Sequence, residues 1–332
     1  MKWRTTTQRR AVIPAAAIAG ITLTAALAGC SSGTASNTTG AAASGTCSNV
    51  TALVNDIQNP WNGTLASGMK TKADELGVNL TIQNAGGVVS DQTSQLQQAI
   101  TSNPDGILLQ ATESTGLVPG VKLANKASVP VVTVNANIGE GADVVTFVGV
   151  DQKDYGIALA KLVEQALPNG GKVAIIQGVV GNPVEIDRTE GINETFAANP
   201  SIDVVATVTD SWNNADNLAV VQDLLAKYPA GQLDAVVAEG PEMYVGAKYA
   251  TSIGRTDVKF IAGDFPIEVK EAIESGDLYG TVLQDGATIG AQAVTDLCAH
   301  VEGKSVPTPT DFLDLPSITS ENVSQYDTTW NW

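Results

Sequence analysis

Short β-branched runs recur along the chain at a nearly constant spacing, and this spacing restricts the fold more than any other feature. In the first half such runs begin at residues 50, 78, 106 and 131, so successive starts lie 28, 28 and 25 residues apart. Segments with a helical pattern fill the intervals, at 64–76, 92–100 and 117–127. A strand, a helix and the return to a parallel strand need about 30 residues. The spacing therefore predicts a parallel sheet with helices on both faces.

The same alternation continues from residue 151 onward. The predicted helices are 151–167, 185–198, 215–227, 242–252, 267–275 and 289–301, and the predicted strands are 172–176, 204–208, 235–238, 259–262 and 281–283. A chain of 332 residues is also long enough for two domains. We therefore predict an α/β protein of two doubly wound parallel-sheet lobes with a boundary near 149–152. Any ligand is expected at the carboxyl ends of the strands.

Residues 1–29 have the composition of an export signal. Four basic side chains and no acid lie in residues 1–10, an uncharged run follows, and it ends in Leu27-Ala28-Gly29-Cys30. This pattern is typical of a secretory signal peptide, with Sec export favoured over twin-arginine export. The last four residues resemble the lipobox of bacterial lipoproteins, which predicts that Cys30 is lipidated. The alternative is an incidental cysteine after an ordinary signal peptide.

Residues 30–46 are almost wholly Ser, Thr, Gly, Ala and Asn. Such a segment buries too little apolar surface to offset the entropy lost on ordering, so we expect a flexible tether behind the lipid. The protein is therefore predicted to be extracytoplasmic and anchored to the cell membrane through Cys30.

The charge of the chain excludes several classes of partner and cofactor. The 18 basic and 35 acidic residues give a net charge of −17, and removal of residues 1–29 leaves 14 basic residues and a net charge of −21. Nucleic-acid binding needs a basic surface, so no nucleic-acid partner is expected. One His and three Cys leave too few ligands for a zinc site, an iron–sulfur cluster or a haem, and we predict no metal and no cofactor.

Cys47 and Cys298 bracket almost the whole predicted folded region. An exported protein meets conditions that permit disulfides, so we predict a Cys47–Cys298 bridge. Two isolated thiols are the alternative.

The sequence lacks the common motifs of exported or nucleotide-dependent enzymes. Neither a phosphate loop, nor a dinucleotide fingerprint after the first strand, nor a Gly-x-Ser-x-Gly elbow is present. The single histidine, His300, falls late in a predicted helix, where a cation suits the helix dipole. We predict that the protein is not an enzyme, with a glycosidase that uses two of its many carboxylates as a remote alternative.

Amides, acids, one arginine and two tryptophans follow the predicted strands in both halves. They include Asn59, Trp61, Asn62, Gln110, Asn135, Asn137, Arg188, Trp212, Glu239, Asp264 and Gln284. Planar amides and carboxylates bind pairs of hydroxyls, and an indole covers the C–H face of a sugar ring. Together these residues indicate a site for a neutral, polyhydroxylated ligand.

Each of these residues also has a purely structural interpretation. Asn59 can cap a helix that begins at Pro60, and both tryptophans can fill the core. Asp264 can be another helix cap, and Arg188 can pair with a glutamate on its own helix.

The chain from Val50 to about Gln325 resembles the ribose/galactose-type sugar-binding lipoproteins and periplasmic binding proteins of bacterial ABC importers. The resemblance is carried by 58–61 (QNPW), 73–77 (ADELG), 104–109 (PDGILL), 129–134 (VPVVTV), 149–152 (GVDQ), 171–178 (GKVAIIQG), 188–191 (RTEG), 262–264 (AGD) and 281–284 (TVLQ). It implies a type I periplasmic-binding-protein fold with two lobes joined by a hinge. Residues 48–150 and 286–310 would form one lobe, and residues 151–284 and 311–332 the other.

The resemblance also assigns ligand positions. The family's Asn and stacking aromatic after the first strand match Asn59 and Trp61, with Asn62 where a second aromatic is usual. The other matches are Gln110 after the third strand, and Arg188, Trp212, Asp264 and Gln284 in the second half. Two positions depart from the pattern, because an Asp-Arg pair is replaced by Asn135-Ala136 and the Asn of an Asn-Asp pair by Gly240.

The implied function is capture of a sugar or polyol between the lobes and its delivery, by a monomer, to an ABC permease. A lipoprotein that senses a small signal molecule and hands it to a membrane receptor is the alternative. Because the departures remove an acid, a guanidinium and an amide, we expect D-ribose itself to bind poorly. We expect the space they leave to hold water, a bulkier ligand or a neighbouring side chain such as Asn137 or Glu239.

Overall fold

A computed structural model describes residues 45–328 of the chain. The predicted signal peptide, the predicted lipidation of Cys30 and the predicted tether up to residue 44 lie outside the described residues. The first half alternates strands and helices as predicted. Its elements are β1 (Asn49–Val54), α1 (Pro60–Leu76), β2 (Asn79–Asn84), α2 (Val89–Ser102), β3 (Gly106–Leu109), α3 (Val118–Lys126), β4 (Val131–Val134) and β5 (Phe147–Gly149).

The second half repeats the pattern and ends with segments that return to both sheets. Its first elements are α4 (Gln152–Ala166), β6 (Gly171–Gln177), α5 (Pro183–Ala198), β7 (Ile202–Thr209), α6 (Asn214–Lys227), β8 (Ala235–Ala238), α7 (Met243–Ser252), β9 (Lys259–Gly263), α8 (Ile267–Ser275) and β10 (Gly280–Val282). The last elements are α9 (Gly286–Val301), β11 (Thr310–Phe312), β12 (Ser317–Thr319) and a 3₁₀ turn (Val323–Gln325).

Two six-stranded sheets form the centres of the two lobes. The strand orders are β11-β5-β4-β3-β1-β2 and β12-β10-β9-β8-β6-β7. Each pairing is parallel except that of β10 with β12. All residues of β3, β4 and β8 are buried, as expected for strands covered on both faces.

The strand order reverses between β1 and β3 in the first sheet and between β6 and β8 in the second. At these points the loops leave towards opposite faces of the sheet and open a crevice. The register pairs Leu53 of β1 with Leu109 of β3, so the residues that follow both strands emerge side by side. The two reversals therefore place the loops after β1, β3, β6 and β8 at the crevices where a ligand is expected.

The chain passes between the sheets three times. Residues 150–151, 283–285 and 313–316 join elements of different sheets, and α9 packs on α1 of the first lobe. The third passage lies slightly later than the predicted division at 310/311, because Asp311 and Phe312 still pair with β5. The short strands β5, β11 and β12 were not predicted, since three residues are too few to show a periodic pattern.

Helices α4 and α5 cross at very short range, and this crossing positions part of the site. A Cβ atom on Gly156 would lie 2.1 Å from the carbonyl oxygen of Arg188, and one on Gly191 would lie 2.1 Å from that of Lys153. Glycine at both positions therefore allows α5 to lie directly against α4, which brings Arg188 over the start of α4.

A disulfide joins Cys47 to Cys298, with their Cα atoms 5.2 Å apart. It ties the segment before β1 to α9 of the same lobe. Within residues 45–328, no helix is long and apolar enough to cross a membrane, and no group of three or more His, Cys, Asp or Glu side chains is arranged to hold a metal ion.

Candidate functional site

A cavity of about 850 Å³ lies between the carboxyl ends of the two sheets. Nine of the eleven predicted ligand residues line it: Asn59, Trp61, Asn62, Gln110, Asn135, Arg188, Trp212, Asp264 and Gln284. Its volume lies within the range of small-molecule sites. Side chains separated by more than 200 residues in the sequence thus meet around one space.

On the first-lobe side, the amides of Asn62 and Gln110 bind each other. Gln110 Nε2 donates to Asn62 Oδ1 at 2.7 Å, and Gln110 Oε1 accepts the backbone N–H of Asn55 at 3.2 Å. Asn62 Nδ2 donates in turn to the carbonyl of Asp56 at 2.8 Å. Each of these two amides donates one hydrogen bond and accepts one within the protein, which orients both side chains and leaves half of their bonding capacity for a ligand.

Asn59 and Trp61 line the cavity, and each also makes hydrogen bonds that stabilise the fold. Asn59 Oδ1 accepts the backbone N–H groups of Trp61 at 2.9 Å and Asn62 at 3.3 Å, so this side chain is indeed the cap of α1. Helix α1 begins at Pro60, four residues before the predicted start, because this cap and the proline define its first turn. The indole of Trp61 is 6% exposed, and its Nε1 donates to the carbonyl of Gln284 at 3.0 Å, which ties the first lobe to the hinge.

Four buried side chains close a hydrogen-bonded ring across the two lobes, which we call the hinge ring: Asn135, Gln152, Arg188 and Gln284. Asn135 Oδ1 accepts from Gln152 Nε2 at 3.0 Å and also from Gln284 Nε2. Arg188 completes the ring by donating from Nε to Gln152 Oε1 at 2.9 Å and from Nη2 to Gln284 Oε1 at 2.5 Å. The amide oxygen of Asn135 accepts from both glutamines. The asparagine that stands where the family pattern has an aspartate is therefore hydrogen-bonded within the protein.

Arg188 is 3% exposed and does not pair with a glutamate on its helix. Glu190 pairs instead with Lys153 at 2.8 Å, and Glu185 accepts from Gln177. Besides its two bonds in the hinge ring, Arg188 donates from Nη1 to the carbonyl of Glu239 at 2.5 Å. A guanidinium has five N–H groups, so two remain for a ligand.

Asp264 follows β9 and does not cap the next helix, whose first residue has Pro266 before it. Its Oδ1 lies 3.2 Å from the hydroxyl of Tyr155, and its φ of +54° is left-handed, which is costly for a non-glycine residue. Asn135 and Trp212 share this conformation, with φ of +58° and +54°. Left-handed residues concentrate where a fold holds a side chain in place for binding.

Several buried carboxyl groups in the second lobe resist ionisation. Burial raises the pKa of Asp264 to about 6, although the Arg188 charge and the Tyr155 hydrogen bond act in the opposite direction. Burial also raises the pKa of Glu239 to about 7, against the lowering effect of hydrogen bonds from Thr189 and Gly178. Neutral groups are favoured in such surroundings because charge is poorly solvated there.

These shifts predict that the protein is more stable in mild acid than at pH 7.5. An acid with a raised pKa in the folded state holds its proton where the unfolded chain has lost it, so the free energy of unfolding falls as pH rises from about 4 to 7. For Glu239, a change from 4.5 to about 7 corresponds to roughly 3 kcal/mol. Glu239→Gln should flatten this part of the stability profile, measured by chemical denaturation across pH.

The matched control is Glu274→Gln, which removes an exposed carboxylate from α8 of the same lobe. Its profile should follow the wild type. Parallel profiles for Glu239→Gln and the wild type would contradict the pKa of Glu239 described above.

The structure places Asn137 and Glu239 away from the large cavity, and we do not retain them as ligand residues. Glu239 is fully buried, and its carboxylate accepts from Thr189 Oγ1 at 2.6 Å and from the Gly178 N–H at 3.0 Å. Asn137 Oδ1 accepts from Thr133 Oγ1 and from the next backbone N–H, both at 2.9 Å. Asn137 lines a separate cavity of about 140 Å³ that also borders Asp151 and Asp187.

Trp212 occupies the space that a side chain at Gly240 would need. A Cβ on Gly240 would lie 2.7 Å from Trp212 Cδ1 and 2.4 Å from Glu242 Oε1, and one on Gly178 would lie 2.0 Å from the indole. Of the three expected alternatives, a neighbouring side chain fills the space beside Gly240, but the side chains are those of Trp212 and Glu242 rather than Asn137 or Glu239. The second lobe therefore presents the Trp212 indole beside position 240, which has no side chain of its own.

A buried acid pair supports the loop that carries Trp212. Asp210 Oδ1 accepts the backbone N–H of Trp212 at 3.0 Å, and Oδ2 accepts from Asn217 at 2.8 Å. No donor within residues 45–328 reaches the carboxyl oxygens of Glu242. Burial and the nearby Asp210 raise the pKa of Glu242 well above its usual value, so the protonated form of Glu242 is favoured beside Asp210.

Sequence reasoning missed four residues of this region. Gln152 and Tyr155 lie at the start of α4, and the helical pattern there did not indicate that their side chains bond to Arg188 and Asp264. Asn55 and Thr112 line the cavity, and each has a buried side-chain oxygen without a hydrogen-bond partner among the described residues. Their position just after β1 and β3 was the available signal.

The comparisons with known proteins agree with this geometry. Residues 50–305 match the family described as periplasmic binding protein domain. This chain belongs to that family. The xylitol-binding protein of Mycolicibacterium smegmatis is 30% identical over 257 residues, which cover 77% of this chain and 73% of the relative. The ribose import binding protein of Salmonella typhimurium is 28% identical, over 76% of this chain and 85% of its own length.

A solved structure extends the likeness to the whole periplasmic binding protein fold. An ABC transporter solute-binding protein from Mycobacterium smegmatis with bound glycerol has a TM-score of 0.77 and 27% identity, over 87% of this chain and all of that one. The predicted family, the two-lobed fold and the assignment to solute-binding proteins rather than enzymes are confirmed.

Proposed function

We propose that this periplasmic binding protein captures a neutral sugar or polyol in the 850 Å³ cavity and delivers it to an ABC permease. The observation that carries the proposal is the pair of Arg188 and Asp264. Both are buried, both line the cavity, and each retains bonding capacity that no neighbouring side chain uses. A donor and an acceptor of this kind together suit vicinal hydroxyls.

The charge of the lining favours a neutral ligand. Arg188 is the one cation among the described residues that line the cavity, whereas Asp56, Glu113 and Asp264 are acids. Three of the five N–H groups of Arg188 are already committed within the protein. A sugar acid or a sugar phosphate would therefore meet a net negative surface with little compensation.

The relatives suggest where a search for the ligand should begin. They are named for xylitol, ribose and D-allose, and solved neighbours hold glycerol or myo-inositol. Bound ligand would contact both lobes and favour their closed arrangement, which the permease would recognise. In this proposal the lobes are residues 48–150 with 286–312 and residues 151–284 with 313–328, a division supported by the strand order of the two sheets and by the pairing of β11 with β5.

A thermal-shift screen followed by calorimetry tests this function. The full chain, purified in mild detergent, is offered xylitol, ribitol, glycerol, myo-inositol, D-allose, D-ribose, D-xylose and D-galactose. A ligand at about 100 times its Kd should stabilise the protein by roughly 2.7 kcal/mol. No shift with any member at 10 mM would contradict the proposal.

Within this panel, D-ribose should bind more weakly than the best ligand. The indole beside Gly240 and the occupied oxygen of Asn135 leave fewer polar atoms for its hydroxyls. Buried protein groups would then go unpaired, which costs about 1–3 kcal/mol for each group. Calorimetry that gave D-ribose a micromolar Kd would contradict this reading of the departures.

We further propose that a lipid on Cys30 holds the mature protein at the outer face of the cell membrane. The support is the sequence pattern of residues 1–30. Cys30→Ser should move the protein from the membrane fraction to the soluble extracytoplasmic fraction. Unchanged membrane association would contradict the anchor.

Ligand binding is also expected to change the fluorescence of Trp212 more than that of Trp61. Trp212 is half-buried and lines the cavity, whereas Trp61 is almost fully buried and its indole N–H is bonded to the carbonyl of Gln284. Trp212→Phe should remove most of the ligand-induced change, and Trp61→Phe should remove less. Equal responses in the wild type and Trp212→Phe would contradict contact between the indole and the ligand.

A further inference from the structure

Tyr155 lies behind the cavity, on the second turn of α4, and does not line it. Its side chain is fully buried. Helix α4 packs against β8, β9 and β10, so the phenol reaches the carboxyl ends of β9 and β10. Gly263 makes room for it, because a Cβ there would lie 2.7 Å from the Tyr155 hydroxyl oxygen. The residue therefore sits between the scaffold and the cavity.

The hydroxyl of Tyr155 is hydrogen-bonded to Asp264, whose carboxylate the proposed function assigns to the ligand. It accepts the backbone N–H of Asp264 at 2.7 Å. Its own proton faces two acceptors, the carbonyl of Val282 at 3.1 Å and Asp264 Oδ1 at 3.2 Å. The hydroxyl thus orients both the backbone and the side chain of Asp264 in its left-handed conformation.

The ring of Tyr155 supports the other charged group. The guanidinium carbon of Arg188 lies 3.7 Å from the ring centroid, in the geometry of a desolvated cation–π contact. The ring thus packs against the guanidinium while Nε and Nη2 of Arg188 donate to Gln152 and Gln284. One buried phenol therefore contacts both charged residues that the proposed function assigns to the ligand.

We propose that Tyr155 is a positioning residue for ligand binding, which holds Arg188 through its ring and Asp264 through its hydroxyl. The inference rests on the proposed function for its ligand. It does not need the ligand's identity, because the contacts exist within the protein. Leucine or phenylalanine would fill the same volume in part, but neither would bond to Asp264.

The pKa of Asp264 distinguishes a positioning role of Tyr155 from a role in packing, because the Tyr155 hydroxyl lowers this pKa. Three groups face Asp264: Tyr155 from α4, Arg188 from α5 and the neighbouring Glu242 at the start of α7. Burial raises the pKa of Asp264 to about 6, and Arg188 and the Tyr155 hydroxyl lower it. Removing the hydroxyl should move this pKa upwards, so that less of the ligand-binding carboxylate exists at a given pH.

The first test is a carbon-13 NMR titration of Asp264 in the ligand-free full chain. Tyr155→Phe should raise its pKa above that of the wild type. The matched control is Tyr228→Phe, which removes the hydroxyl of a half-buried tyrosine in the second lobe, bonded to the carbonyl of Val205 at 2.9 Å. The control should leave the titration of Asp264 unchanged. Equal values for the two folded variants and the wild type would overturn the role of the hydroxyl.

A second measurement uses the panel member that binds best. Its affinity should fall as pH drops through the pKa of Asp264, and in Tyr155→Phe this fall should begin at higher pH, with about tenfold weaker binding at pH 7. Tyr155→Leu, which also lacks the ring, should bind more weakly still. If no polyol binds, the proposed function fails, while the NMR titration still decides the positioning role.

Incorporation of 3-fluorotyrosine covers the case in which Tyr155→Phe does not fold. Fluorine makes the phenol a stronger hydrogen-bond donor without removing it, so the pKa of Asp264 should fall. An unchanged pKa in the fluorinated protein would overturn the proposal.

Discussion

The Asp264→Asn variant is expected to bind its polyol about 10- to 100-fold more weakly than the wild type. A hydrogen bond from a ligand hydroxyl to a buried carboxylate contributes roughly 1.5–3 kcal/mol, and each 1.4 kcal/mol is a factor of ten in Kd. The amide keeps the shape of the side chain but replaces one acceptor oxygen with a donor. Titration calorimetry at pH 7.5, where the carboxylate is ionised, gives the comparison.

Arg188→Lys is expected to lose a similar amount of affinity, although it keeps the positive charge. Lysine cannot reproduce the planar fork that bonds to Gln152, Gln284 and the carbonyl of Glu239 while leaving two N–H groups for the ligand. The hinge ring would open as well. The loss should therefore appear both in affinity and in the ligand-induced closure of the lobes, measured by small-angle scattering.

Two variants control for general effects of charge and packing in the second lobe. Asp234→Asn changes an aspartate before β8, at the opposite edge of the sheet, where its Oδ2 accepts the Lys172 N–H at 2.7 Å. Arg255→Lys changes an arginine that pairs with Asp257 outside the cavity. Both should bind like the wild type. Wild-type affinity in Asp264→Asn or Arg188→Lys, with circular dichroism showing intact folding, would contradict the site.

Removal of the Cys47–Cys298 bridge is expected to lower the free energy of unfolding by about 2–5 kcal/mol. The bridge joins residues 251 apart in sequence, and in the chain-entropy account the stabilisation grows with the length of the closed loop. The Cys47→Ala/Cys298→Ala double variant should unfold at lower denaturant concentration. Its ligand affinity should be unchanged, because neither cysteine lines the cavity.

The wild type under reducing conditions should match the double variant, and Cys30→Ser should retain full stability. Two reactive thiols at Cys47 and Cys298 in denatured, unreduced wild-type protein would contradict the bridge. Equal stability of the double variant and the wild type would contradict its energetic role.

The alternation of strands and helices could be predicted because it depends on local patterns. Strands β3, β4 and β8 are buried on both faces and appear as short apolar runs. Gly77 ends α1 in a left-handed conformation, as its position after the helical pattern indicated. The strands β5, β11 and β12 have no such pattern, since each owes its extended form to a neighbouring strand.

The candidate site could be predicted only as a set of loops. Residues after parallel strands must gather at one edge of the sheet, so Gln110, Trp212 and Asp264 were expected near one another. All three line the cavity, together with Arg188 of helix α5. Which atoms they present was not accessible from the sequence. Glu239 follows β8 as predicted, yet its carboxylate turns towards Thr189 and Gly178.

Local periodicity and the order of short motifs were enough to predict the two α/β lobes, the family and the approximate position of the site, because both are properties of residues close together in the chain. The hydrogen-bond partners of the polar groups could not be predicted in this way. Asn135 is bound by Gln152 and Gln284, Trp212 fills the space beside Gly240, and Tyr155 supports Arg188 and Asp264. These contacts join residues between 17 and 149 positions apart, and their geometry depends on how helices and sheets pack rather than on any local pattern.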